Sequence, residues 1–189
     1  MGQKGENNRA SASAANYVRQ AASRAREKDE QLNIIKKTAK EQGIWIEDYA
    51  SFGDYFSKGG ENEVYFSSVK NSVFKLNNFE YAADDVSNFF DRIDIHNELF
   101  PESYYEIVGF TENSVGEISA VLEQSYVEAE REATESEIAT YMEALGFEMD
   151  YSDSFKNDRY YVFDAFPNNV LMGTDGRLYF IDTQISRVK

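Results

Sequence analysis

Hydrophobic positions recur along this chain in several distinct rhythms. From Ala14 to Gln42 they are sparse (Val18, Ala21, Leu32, Ile35, Ala39) and set among Ala, Arg, Glu, Lys and Gln, with no Gly or Pro. Such residues favour helix, so this stretch predicts a polar helix or helix pair stopped at Gly43. Residues 1–12 are small and polar and predict a frayed start. After the apolar stretch Ile44-Trp45-Ile46, the turn Lys58-Gly59-Gly60-Glu61 introduces two short β-prone runs, Glu63–Phe66 and Ser72–Leu76. Val86, Phe89, Phe90, Ile93 and Leu99 then follow helical spacing, which predicts a helix over 83–99 with Asp84 and Asp85 at its positive end. Tyr105–Phe110 and Glu117–Gln124 read as a hairpin. Thr134-Glu-Ser-Glu137 has the form of a capping box for a helix that Gly146 ends. Tyr160–Phe163 is extended, and the Thr174-Asp-Gly176 turn pairs Val170–Met172 with Leu178–Ile181. The order of elements predicts an α+β protein, with a basic helical extension over 1–43 and a compact domain over 44–189.

Composition narrows the chemistry. The chain has 189 residues, 14 Phe, 13 Tyr and only 2 Pro, so its body is globular. It has no cysteine, which excludes disulfides, thiolate metal sites and a Cys nucleophile and permits a reducing compartment. With a single histidine, His96, zinc sites and Ser-His triads are excluded as well. His96 beside Asn97 on a helix reads as a structural hydrogen-bonding residue. No run of about 18 apolar residues and no apolar signal core is present, so the expectation is a cytoplasmic protein with no membrane span. Charge is unevenly divided. Residues 1–40 hold nine Lys/Arg and four Asp/Glu, and the rest ten and thirty, which gives net charges of +5 and −20 and the total of −15. The acidic body repels nucleic acid, which leaves only the basic N-terminal segment as a surface for it. The plainer reading of that segment is a helix lying on its own acidic body.

The densest polar pattern is Asp164-Ala-Phe-Pro-Asn-Asn169-Val-Leu, followed after the Gly176 turn by Arg177-Leu-Tyr-Phe-Ile-Asp182. Asp and Asn often do no more than cap turns. Here the spacing on a tight hairpin lets Asp164, Asn169 and Asp182 converge, and the amide and carboxylate oxygens of Asn169 and Asp182 suit a hard cation such as Mg²⁺. Lys75 ends the run Val73-Phe74-Lys75 one strand after the Gly59-Gly60 turn; taken alone it would be a solvent-facing strand lysine.

With these residues the chain resembles the protein kinase-like superfamily, and more narrowly the compact kinase-like domains of polyvalent proteins in phages and bacterial conjugative elements. The resemblance covers about residues 44–185. It is carried by the hairpin and by Gly59-Gly60-Glu61, Val73-Phe74-Lys75, Ile95–Pro101, Val108-Gly109-Phe110, Val121–Gln124 and Gly146-Phe147. It implies a minimal kinase-like fold, in which a small antiparallel sheet with a helix beside it precedes a truncated C-terminal lobe. It implies ATP or another nucleotide with Mg²⁺, and phosphoryl transfer to an acceptor that the resemblance leaves open, a protein substrate or partner among them, or, as an alternative, a pseudokinase-type module that binds a nucleotide or protein partner without turnover. A third possibility is an interaction domain that binds no nucleotide. By the resemblance, Asp164 would orient the acceptor, Asn169 and Asp182 would hold metal, and Lys75 would contact the phosphates. Gly59 and Gly60 would approach the phosphates, Val64 would cover the adenine, and Glu123-Gln124 would form the segment that binds it. Asp91, Asp94 and Glu98 all remain open as partners that orient Lys75. The chain departs from the common pattern at Val162, where kinases usually carry His, and at Thr183-Gln184, which replaces Phe-Gly after the metal aspartate.

Overall fold

A computed structural model describes residues 3–188, with side chains from Ala10 onward. The chain divides into two compact units, one holding the residues up to Phe90 together with Tyr105–Tyr126, the other Asp91–Tyr104 and the residues from Val127. Helices α1 (Gln3–Ala22) and α2 (Lys28–Glu41) open the first unit. Helix therefore replaces the frayed start expected for the first dozen residues, while Met1 and Gly2 lie outside the described residues. The buried Ala15, Val18 and Ala22 anchor α1, and a helix once nucleated propagates cheaply through an N-terminal run free of Pro.

Next come β1 (Asp54–Lys58), β2 (Asn62–Ser67), β3 (Ser72–Asn77), α3 (Ser87–Leu99), β4 (Glu106–Glu112) and β5 (Ile118–Ser125). The strands form one antiparallel sheet in the order β1-β2-β3-β5-β4. Sequence periodicity misses β1 because all five of its residues are exposed and none marks an inward face. On one face of the sheet Tyr65, Phe74, Leu76 and Val121 pack with Phe52, each side chain contributing on the order of 1.5–3 kcal/mol by leaving water. Helices α1 and α2 pack on β4, whose Phe110 also exchanges backbone hydrogen bonds with Ile44 and Ile46 (2.9 and 2.8 Å). Two lysines of α2 engage partners within this unit. Lys36 pairs with Glu112 at 2.5 Å, and Lys36 and Lys40 lie over the Trp45 ring at 5.6 and 5.3 Å.

Helix α3 begins at Ser87, later than the expected 83, because Phe79 and Ala83 take left-handed φ angles of 62° and 53° around a 3-10 turn. Gln31 of α2, fully buried, fixes this entry. Its amide donates to Asp85 Oδ1 (3.0 Å) and Ala25 O (3.1 Å), and its oxygen accepts from Val86 N (2.9 Å). Asp85 also accepts from Ser87 N at 2.8 Å, and that bond is the main cause holding its carboxyl below the usual range.

The division between the units falls inside α3. The second unit adds β6 (Ala129–Glu132), α4 (Glu135–Ala144), β7 (Glu148–Tyr151), β8 (Ser154–Lys156), β9 (Tyr160–Phe163), β10 (Val170–Gly173), β11 (Leu178–Phe180) and β12 (Gln184–Arg187). Helix α4 has the expected capping box, and Gly146 ends it at φ 81°. The expected hairpin is β10–β11, extended by β6 into a three-stranded sheet. The four-stranded sheet β12-β9-β8-β7 was not expected beyond β9, since its strands are three or four residues long and carry charges between their apolar positions. Ile95 and Phe100, Ile138 and Met142 of α4, Phe155, Val162, Val170 and Phe180 form the core, with the Phe100 ring stacked on Phe180 at 4.0 Å. The α+β class read from the sequence is the one observed. Among the described residues no helix is long and apolar enough to cross a membrane.

Candidate functional site

The β-ladders of the second unit explain how Asp164 and Asp182 meet. Strand β9 ends at Phe163, which pairs with Gln184 at the start of β12. Asp164 and Thr183 are thus the next residues out on the two strands. On the other side of Asp182, Ile181 N donates to Asn169 O at 2.9 Å. Asp182 is held between a residue tied to Asn169 and a strand tied to Phe163. Asn169 closes the loop through its side chain, whose Nδ2 donates to Asp164 O at 2.8 Å. Its Oδ1 accepts from the exposed Asn168 amide at 3.0 Å. The 3-10 turn Pro167–Asn169 sets this geometry, with Pro at its first position and Asn169 N bonded to Phe166 O.

Asp164 has a left-handed backbone, φ 60°, uncommon for a residue other than glycine. Burial first, and then the charges of Asp182 and Asp153, push its carboxyl above the usual carboxylate range. Asp153 is not singled out in the sequence. Its carbonyl accepts from Ala165 N at 2.9 Å, which anchors the start of the Asp164 loop. Thr183 Oγ1, beside Asp182, is buried and has no hydrogen-bond partner among the described residues. Asp164, Asn169 and Asp182 therefore present hard oxygen donors next to an unsatisfied hydroxyl, a set that fits Mg²⁺ with its waters. Among the described residues no three His, Cys, Asp or Glu side chains form a group that could hold a metal ion.

In the first unit, Val64 and Leu122 both lie directly across from Lys75, one on each neighbouring strand, so the three side chains share one face of the sheet. Lys75 is buried; its Nζ donates to the Tyr105 hydroxyl at 2.9 Å and lies 5.2 Å from that ring's centre. Tyr105 was legible in the sequence only as the first residue of an extended run, with nothing to tie it to Lys75. Gly59 and Gly60 form the β1–β2 turn, with Gly59 N bonded to Asn62 O at 2.8 Å. A Cβ on Gly60 would come 2.6 Å from the Tyr81 hydroxyl, at the end of an exposed side chain. At the base of the turn the buried Glu63 accepts from Lys58 Nζ (2.9 Å), from Ser114 N (3.1 Å) and from the Ser114 hydroxyl. Burial works against its charge, but the Ser114 and Lys58 hydrogen bonds win and its carboxyl ends below the usual range.

Glu123 and Gln124 lie near the end of β5, opposite Phe74 and Val73. Glu123 also faces Glu106, whose carboxyl is raised by burial and then by that like charge. Of the acids on α3, Asp91 pairs with Arg187 (3.6 Å), while Glu98 pairs with Arg159 (3.4 Å) and accepts from the Tyr160 hydroxyl (3.2 Å). His96 is buried, with its Nε2 2.9 Å from Ser103 O, as a structural histidine would be.

Comparison with curated proteins found no match. A family model for the serine/threonine/tyrosine kinase found in polyvalent proteins matches residues 28–188, from the start of α2 to just past β12. The chain belongs to this kinase family of polyvalent proteins.

Proposed function

We propose that the protein is a Mg²⁺- and ATP-dependent phosphotransferase. Membership of a kinase family supports kinase chemistry in general. The observation that carries the finer reading is the strained Asp164 loop, in which Asn169 holds Asp164 by its backbone while a neighbouring ladder holds Asp182 beside it. A loop kept at φ 60° and lined with like charges is costly, and such cost persists where function needs the geometry. In this reading Asp164 accepts the hydrogen bond of the acceptor hydroxyl, Asn169 and Asp182 hold Mg²⁺, and Lys75 contacts the phosphates. Bound Mg²⁺ would neutralise charge on the transferring phosphoryl group. Gly59 and Gly60 would approach the phosphates, and the face bearing Val64 and Leu122 would meet the base. Titration calorimetry of ATP with and without Mg²⁺, on the natural chain and on Asp182→Asn and Lys75→Met, tests the reading. Mg²⁺-dependent binding that both substitutions abolish is expected. A folded chain that binds no ATP at millimolar concentration would overturn it, and binding without turnover would leave a nucleotide-holding module.

A further inference from the structure

We propose that Ser23 of a second copy of this chain is a phosphoryl acceptor for the Asp164 site; this rests on the phosphotransferase reading above. Ser23 follows the last residue of α1 and opens the irregular link Ser23–Glu27. It is exposed, and its Oγ donates to Gln20 O at 3.0 Å. Arg19, Arg24 and Arg26 surround it in sequence. Arg24 and Arg26 are exposed and enter no ion pair among the described residues. The link is fastened at its far end, where Gln31 holds Ala25 O and Lys28 Nζ donates to Phe79 O at 2.8 Å. It therefore stands as a cationic, serine-bearing loop on the surface of its unit, fastened at its far end. Helix ends open at low cost, so the segment around Ser23 can extend into a neighbour's site.

The groups around Asp164 suit such a loop. The second unit holds seventeen Asp/Glu and seven Lys/Arg, a net charge of −10. Asp153, whose carbonyl bonds Ala165 N, and Asp182, held between the Ile181–Asn169 bond and the Phe163–Gln184 pair, adjoin the Asp164 loop, so an acidic acceptor would be repelled there. The exposed rings of Phe163 and Phe166 flank Asp164 in the chain, and Tyr161 stacks on Phe163 at 5.7 Å. Carboxylates beside open aromatic faces are the surroundings a guanidinium prefers, through ion pairing and stacking together. Arg24 and Arg26 lie one and three residues from Ser23, near enough to engage those groups while the hydroxyl approaches Asp164.

In the reaction Ser23 Oγ forms a bond to the γ-phosphorus of ATP. The bond from that phosphorus to the oxygen bridging to the β-phosphate breaks, and its electron pair leaves with ADP. The hydroxyl proton passes to the Asp164 carboxylate and then to water. The product places a phosphate of charge about −1.5 to −2 at the C-terminal end of α1, where the helix dipole disfavours anions and the last turn loosens.

The test mixes two full-length variants with radiolabelled ATP and Mg²⁺: Ser23→Ala as donor, with its Asp164 intact, and Asp164→Asn as acceptor, with its Ser23 intact. Peptide mapping is expected to find label on Ser23 of the acceptor only when the donor is present. Arg24→Glu with Arg26→Glu in the acceptor is expected to slow labelling at least about tenfold at low salt, with the difference shrinking as salt rises. Label at other residues only, or no label while the donor phosphorylates an unrelated basic protein, overturns the Ser23 proposal and leaves phosphotransfer standing. A natural chain that binds no ATP overturns both.

Discussion

The left-handed backbone at Asp164 makes a quantitative claim about stability that is separate from catalysis. An L-residue at positive φ costs about 1–2 kcal/mol, which glycine avoids. Glycine in turn loses more backbone freedom on folding, about 0.5–1 kcal/mol relative to alanine. At φ 60° the balance favours Asp164→Gly over Asp164→Ala by about 0.5–1 kcal/mol, the reverse of their usual order in helices and strands. Asp164→Asn should fall between them, since Asn tolerates this conformation through its short polar side chain. It also removes the repulsion that Asp182 and Asp153 exert on the carboxylate. All three variants are expected to lose phosphotransfer while their stabilities follow Gly, then Asn, then Ala. The assay is urea denaturation with hydrogen exchange read at Ala165 N and Ile181 N, the amides that bond Asp153 O and Asn169 O. The single Trp45 sits in the other unit and would not report this site. If the alanine variant matches or exceeds the glycine variant, the site is not strained and the argument from cost to function fails.

Gln31→Leu keeps the volume but strips partners from Asp85, Ala25 O and Val86 N, and should destabilise the first unit by about 2–4 kcal/mol; a loss under about 1 kcal/mol by Trp45 fluorescence would refute the clamp. Asp182→Asn should lower the raised Asp164 carboxyl toward its usual value, readable by carbon NMR titration, and an unchanged titration would remove Asp182 from its surroundings. Glu137 is lowered from 4.5 to about 2, chiefly by the Arg131 hydrogen bond and then by the capping bonds of Thr134. Its folded value lies below its unfolded one, so its stabilisation is present above about 4.5 and fades as pH falls toward 2. The difference in melting temperature between the natural chain and Glu137→Gln should follow that window, and a difference that persists below pH 2 would contradict it.

Elements that declare themselves locally were legible in the sequence. The Thr134–Glu137 capping box and the Asp175-Gly176 turn are set by interactions within a few residues, so their spacing alone is enough. The Asp164–Asn169–Asp182 spacing was equally visible, because hairpin and turn confine all three to one short stretch. What escaped has its cause elsewhere in the chain. Strand β1 carries no inward face and exists through its pairing with β2. The late start of α3 depends on Gln31, more than fifty residues earlier. Asp153 reaches Asp164, and Tyr105 reaches Lys75, only once sheets have brought distant segments side by side. The sequence alone determined which residues could do chemistry and that the chain is α+β. Tertiary structure decided the strain, the raised carboxyl and the company each of those residues keeps, because burial and like-charge repulsion depend on distances that no local spacing encodes.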